Sequence, residues 1–142
     1  MFEHLDKDEA ANFLAESFRV LRAGGTLRLA LPDLAYNITH YQDEGAEWFM
    51  ENMHTCMPKP KGIKAKLLTL IAGNRHHHWM YDAKSLSNLL ARHHYVQITV
   101  LERGQTTITD PGQLDLSQPM EGSMFIEAEK PYLLVSTNQQ AK

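Results

Sequence analysis

Hydrophobic side chains along this chain follow two periods. Ala10, Phe13, Leu14, Phe18 and Leu21 recur at three- and four-residue steps, with Ser17 on the same line, and so predict one face of a helix. Asp6 with Glu9 three positions on predicts a capping box at its start. The acidic first turn (Asp6, Asp8, Glu9) and the later Arg19 and Arg22 suit the helix dipole. Gly24-Gly25 predicts the stop, because glycine enters the left-handed conformation cheaply. Leu27, Leu29 and Leu31 then alternate with Thr26, Arg28 and Ala30, which is strand periodicity. Pro32 cannot donate to a ladder and ends that strand.

Asp33 is placed to cap a second helix, with Leu34, Ile38 and Tyr41 along one face, Trp48, Phe49 and Met53 continuing it, and Gly45 weakening its middle. Met57 to Gly62 reads as a loop. Ile63, Leu67, Leu70 and Ile71 return to helical spacing, and Gly73-Asn74 is a stop signal. Asp82 begins a last helix whose buried face is Ala83, Leu86, Leu89 and Leu90. His94 follows where a left-handed residue is expected. Val96, Ile98 and Val100 alternate as a strand, as do Met124, Ile126 and Ala128, and Pro131 closes the latter. A long connection, Arg103 to Met120, joins them, with Asp110-Pro-Gly112 as a turn. The pattern predicts an α/β chain with about three strands and three or four helices, and a frayed polar tail at 136–142.

Composition narrows the class. At 142 residues, the chain forms one domain at most. Hydrophobic residues make up 43% and charged residues 22%, which argues against wholesale disorder. A formal charge of -3 gives no reason to expect nucleic acid as an obligatory partner. The single cysteine, Cys56, excludes an internal disulfide and suits a reducing compartment, so the cytoplasm is the expected location. No apolar run reaches the ~18 residues of a membrane span. The amino end has neither the basic region nor the apolar core of a signal peptide.

Four stretches carry a resemblance. Arg19-Val-Leu-Arg-Ala-Gly-Gly25, followed by the strand and Leu31-Pro-Asp33, resembles the fifth-strand region of class I S-adenosylmethionine-dependent methyltransferases (type 11-like). Glu3-His-Leu5 resembles the segment after that family's fourth strand. His78-Trp-Met-Tyr-Asp82 and Ser123 to Pro131 are similar to its later motifs, in the family's order. The resemblance covers residues 1–135 and implies the carboxyl-terminal half of a Rossmann-like fold, with its strands in the family order 5-7-6 and residues 33–75 as a helical insert. That insert is either a cover over the substrate pocket or a satellite core.

The resemblance also implies what is missing. The family grips S-adenosylmethionine with a glycine-rich turn after its first strand and an acidic residue after its second. This chain has no such turn, since Gly24-Gly25 precedes a strand. It is therefore expected to be a fragment of an enzyme, half of a split enzyme or a non-catalytic relative, inactive alone. The Thr26 to Leu31 strand would have an unpaired edge where the fourth strand belongs, open to a second copy or a partner chain.

Candidate residues follow from the same likeness. Glu3, His4 and Leu5 would lie near the methyl and adenine end of the cofactor, with His4 as general base toward an unspecified methyl acceptor. Glu3 and His4 could equally cap or pack the following helix. Asp33, Tyr36, His78, Trp79 and Tyr81 would face substrate. For Asp33 a cap, for Tyr36 packing and for His78 a hydrogen-bonded loop are the plainer readings. His76-His77-His78 invites a metal hypothesis, yet adjacent residues share no face and no carboxylate or cysteine stands at ligand spacing, so no metal site is assigned. Lys59, Lys61, Lys64 and Lys66 form a basic cluster, either a solvated face or an attractor for an acidic substrate.

Overall fold

The computed structural model describes residues 2–52, 78–114, 116 and 121–132. After a 3-10 turn at Phe2–His4, helix α1 spans Lys7–Val20. Its capping box forms as expected: Asp6 Oδ1 accepts from Asp8 N and Glu9 N, and the Glu9 carboxylate accepts from Asp6 N, all at 2.8–2.9 Å. The helix stops short of the glycines. Leu21 turns extended, and Lys130 Nζ donates to its carbonyl at 2.8 Å, so a cation closes the helix and Arg22 lies beyond its last turn. Gly24, at φ +72°, makes the turn into the sheet, a conformation that L side chains rarely adopt.

The strands are β1 (Thr26–Pro32), β2 (Val96–Leu101) and β3 (Ser123–Glu129). They form one three-stranded sheet in the order β1-β3-β2, with β3 antiparallel to both neighbours. The last strand in the chain therefore lies between the other two, the expected neighbour order. Leu29 pairs with Ile126 and Arg28 with Glu127. β3 is central, and Met124 to Ala128 is buried on both parities, not on one alone.

Two helices, α1 and the one at Ala83–Arg92, cover one face of the sheet. Helix α2 is Leu34–Asn52 and α3 is Ala83–Arg92. Asp82 caps α3 through Ser85 in a second reciprocal box. His94 takes φ 70°, the left-handed conformation expected there, and Tyr95 N returns to Leu90 O at 3.2 Å. Ala10 and Leu14 of α1, Leu86 and Leu90 of α3, and Leu31, Ile126 and Ala128 of the sheet form one buried cluster, none more than 2% exposed. At ~25 cal/mol per Å2 of apolar surface, each of these leucine and isoleucine side chains contributes roughly 1.5–3 kcal/mol by burial.

A polar strap covers the other face. The Glu127 carboxylate, 1% exposed, accepts from Arg28 Nη1 and Thr106 Oγ1 at 2.6 Å, Thr107 N at 2.7 Å and Thr107 Oγ1 at 2.5 Å. Arg28 Nη1 also donates to Gln105 O at 2.9 Å, and its guanidinium lies 5.1 Å from the Phe125 ring centre. Burial pushes the Glu127 carboxyl up. The bonds from Thr106, Thr107 and Arg28 outweigh it and hold the group below the usual carboxylate range.

Two expected faces differ from the structure. The line Leu34, Ile38, Tyr41 is not the buried side of α2, because Ile38 and Tyr41 are about half exposed (47% and 48%) and Asn37 is buried instead. Gly45, at φ +84°, breaks the helix, so aromatic rings of the two halves meet: His40 stacks on Trp48 at 4.9 Å and Tyr41 meets Phe49 at 5.4 Å. In β2, a register shift between Val96 and Thr99, with Gln97 at φ 50°, breaks the alternation. Ile98 still reaches the core while Val96 and Val100 are exposed. Met53, the 57–62 loop, the helix expected at 63–71, its Gly73-Asn74 stop, Cys56, the lysine cluster, His76, His77 and the 136–142 tail lie outside the described residues.

Candidate functional site

Three segments distant in sequence meet at the carboxyl end of β1. The Phe2–His4 turn packs beside β1. Its Glu3 carbonyl accepts from His78 N at 2.8 Å and Trp79 N at 3.2 Å. Tyr81 forms a parallel bridge with Asp33, and Leu34 N donates to Tyr81 O at 2.9 Å. The buried Phe2 ring joins the groups, 5.4 Å from Tyr81 and 5.6 Å from Phe13. The backbone thus gathers residues 2–5, 33–34 and 78–82.

Within this cluster Glu3 and His4 form a carboxylate–imidazole pair, Nε2 to Oε1 at 3.4 Å. Glu3 is nearly buried while the His4 side chain is 37% exposed. Burial pushes the Glu3 carboxyl up, but hydrogen bonding, its own backbone N–H included, holds it below the ordinary range. Such a pair can hold a proton or pass one to a group that approaches the exposed imidazole. Leu5 packs against the core beneath it. Trp79 is 41% exposed with the Lys7 ammonium 4.0 Å over its ring.

The other candidates serve the framework. Asp33 Oδ1 accepts from Ala35 N at 2.9 Å, which makes it a helix cap. Tyr36 stacks on His40 at 3.8 Å and presses on Gly122, whose Cβ would come within 2.6 Å of the ring. Tyr81 is buried, and burial pushes its hydroxyl up. His78 is exposed and joins the cluster through its backbone. Asn37 was not signalled by the sequence pattern. It lies one helical turn beyond Asp33, 7% exposed, and its Nδ2 donates to Asp33 O at 2.8 Å. A polar residue on an otherwise surface-facing helix gives no periodic sign of burial. Among the described residues, no group of three or more His, Cys, Asp or Glu side chains could hold a metal. No helix among them is long and apolar enough to cross a membrane.

The chain was compared with family models, curated proteins and solved structures, and it matches none of them.

Proposed function

We propose that this chain is the carboxyl-terminal part of an S-adenosylmethionine-dependent methyltransferase, with the strands that grip the cofactor supplied from outside these 142 residues. One observation carries the reading. The sheet order β1-β3-β2 has an antiparallel last strand at its centre, and the Glu3, Asp33 and Tyr81 segments converge on the carboxyl end of β1. S-adenosylmethionine, when bound, supplies an electrophilic methyl group. The residues here fit part of its site: the Phe2–His4 turn and Leu5 would lie at its methyl and adenine end, with the Glu3 carboxylate on the side of positive charge. No residue described here fits the ribose or the aminocarboxypropyl group, and in this reading the chain alone is inactive.

In this reading His4 takes the proton from an attacking oxygen or nitrogen, and Glu3 orients the imidazole. The buried Phe2 and Tyr81 rings exclude water from that side. A cytoplasmic location belongs to the same proposal.

The test is calorimetric titration with S-adenosylmethionine. The isolated chain gives no tight binding. The chain joined to a segment with a glycine-rich turn after a strand binds one equivalent. Tight stoichiometric binding by the isolated chain overturns the reading.

The outer edge of β1 favours a second reading, a non-catalytic module that associates through that edge. β1 pairs with β3 alone among the named strands. Among the described residues, Tyr81 bridges to its far side, at the Asp33 end.

A further inference from the structure

One residue sets the break in α2. Gly45 has φ +84° and ψ -171°, a conformation open in practice to glycine alone. A Cβ built there meets no described atom within 4 Å, so backbone conformation, not space, reserves the position for glycine. The bend folds the second half of the helix back on the first. Trp48 lies 4.9 Å from His40 and 6.3 Å from Tyr36, and Phe49 lies 5.4 Å from Tyr41. His40 is fixed for this contact. It stacks on Tyr36 at 3.8 Å, and its Nδ1 is 3.0 Å from the Tyr36 carbonyl. A carbonyl only accepts, so Nδ1 carries the proton and the imidazole plane is held between two aromatic faces.

The same residues also encode a second conformation. No proline interrupts Leu34–Asn52, and Gln42, Glu44, Ala46, Glu47 and Met50 around the break are strong helix formers. Turning Gly45 to helical φ and ψ, which glycine also reaches, carries the hydrogen-bond ladder through the break. Residues eight positions apart then stand about 12 Å apart along the axis, so Trp48 leaves His40 and Phe49 leaves Tyr41. The straight form gains backbone hydrogen bonds and loses ring contacts. It also sets Asp43 and Glu47 one turn apart, where like charges repel. Each form holds what the other gives up, which is the condition for a bistable element.

We propose that α2 is a two-state hinge pivoting at Gly45. Its bent form is closed by the Tyr36–His40–Trp48 stack, and its straight form withdraws Trp48 from that stack. Straightening uncovers the face of His40 on which Trp48 rests. The imidazole lies in turn on Tyr36, which presses on Gly122, and the Gly122 carbonyl accepts from Asp33 N at 2.9 Å. The hinge thus covers and uncovers a stacking face one ring removed from the carboxyl end of β1. It works in the same way whether or not the chain belongs to a methyltransferase.

The experiment is NMR on the full chain in a Trp79→Phe background, which leaves Trp48 as the one indole. Nuclear Overhauser contacts between the His40 and Trp48 rings report the bent form. Contacts from the α-protons of Asp43 and Glu44 to the amide protons of Ala46 and Glu47 report the straight one. The parent shows both sets, joined by microsecond-to-millisecond exchange in relaxation dispersion. Gly45→Ala lowers the bent-to-straight ratio by roughly tenfold or more and raises helicity in circular dichroism. Glu47→Lys touches neither pivot nor rings and turns the repulsion from Asp43 into attraction. It lowers the ratio by about two- to fivefold and covers the case in which alanine at the pivot unfolds the chain. Ring contacts in the parent with no helical set and no exchange overturn the hinge. So does a His40–Trp48 contact that keeps its full strength in both Gly45→Ala and Glu47→Lys. None of these outcomes touches the cofactor titration.

Discussion

The two faces of the sheet are held by different physics. One face is apolar: Leu14, Leu86, Leu90 and Ile126 interlock there with at most 1% of their surface exposed. On the other face one carboxylate, Glu127, gathers donors from β1 and from the strap at 105–107. The apolar face spreads its stabilisation over many small contacts, so any single loss is partial. The polar face concentrates it on one ion pair, where loss of a partner strands a buried charge. The polar face is thus the more brittle, although it buries fewer side chains.

The largest expected effect tests that brittleness. Glu127→Ala leaves Arg28 buried without its anion and lowers unfolding free energy by about 3–5 kcal/mol in urea melts. Arg28→Met/Glu127→Leu removes both charges and recovers most of that loss. A cost below about 1 kcal/mol for Glu127→Ala would place the strap among ordinary surface loops.

Acid sharpens the contrast. The folded-state pKa of Glu127 lies below its unfolded value. The stabilisation it gives is therefore complete above roughly pH 4.3 and drains as pH falls through the folded value. Melting temperature measured against pH should fall on that acid side, and less steeply in Glu127→Gln. An equally steep fall in Glu127→Gln would mean that other carboxyls, Glu3 among them, carry the acid sensitivity.

The smallest effect belongs to the apolar face. His94 sits at φ 70° behind α3. His94→Gly relieves a left-handed strain and stabilises by about 1 kcal/mol, less the loss of the Phe18 ring contact at 6.1 Å. A destabilised variant in thermal melts would show that the ring contact outweighs the strain.

The same contrast explains what could be read ahead of the structure. Local rules worked where neighbours in sequence decide the outcome, as in the Asp6–Glu9 box, the start of α3 at Asp82, the Leu27-Leu29-Leu31 alternation and the left-handed His94. They did less well where distant chain decides. Ile38 and Tyr41 lie on a good helical line, yet the break at Gly45 brings Tyr41 against Phe49, and both Ile38 and Tyr41 stay about half exposed. Glu127 sits inside the apolar run Met124 to Ala128, and nothing local names its partners twenty residues upstream. The candidate site was legible only in part. The meeting of Glu3 with His78 and Trp79 runs through a backbone carbonyl, which no side-chain pattern reveals. Asn37 is invisible for the same reason, since its role is a bond to the Asp33 carbonyl.

Lys130 carries a consequence for how the chain assembles. Its ammonium reaches the Leu21 carbonyl, 109 positions away in sequence, and lies 5.0 Å from the Phe18 ring centre. The final turn of the first helix is thus finished by a residue that arrives only when the last strand has threaded between its neighbours. An acyl group on this one amine would remove the cation from the helix end while the Leu21 N–H bond to Ser17 O kept the turn wound.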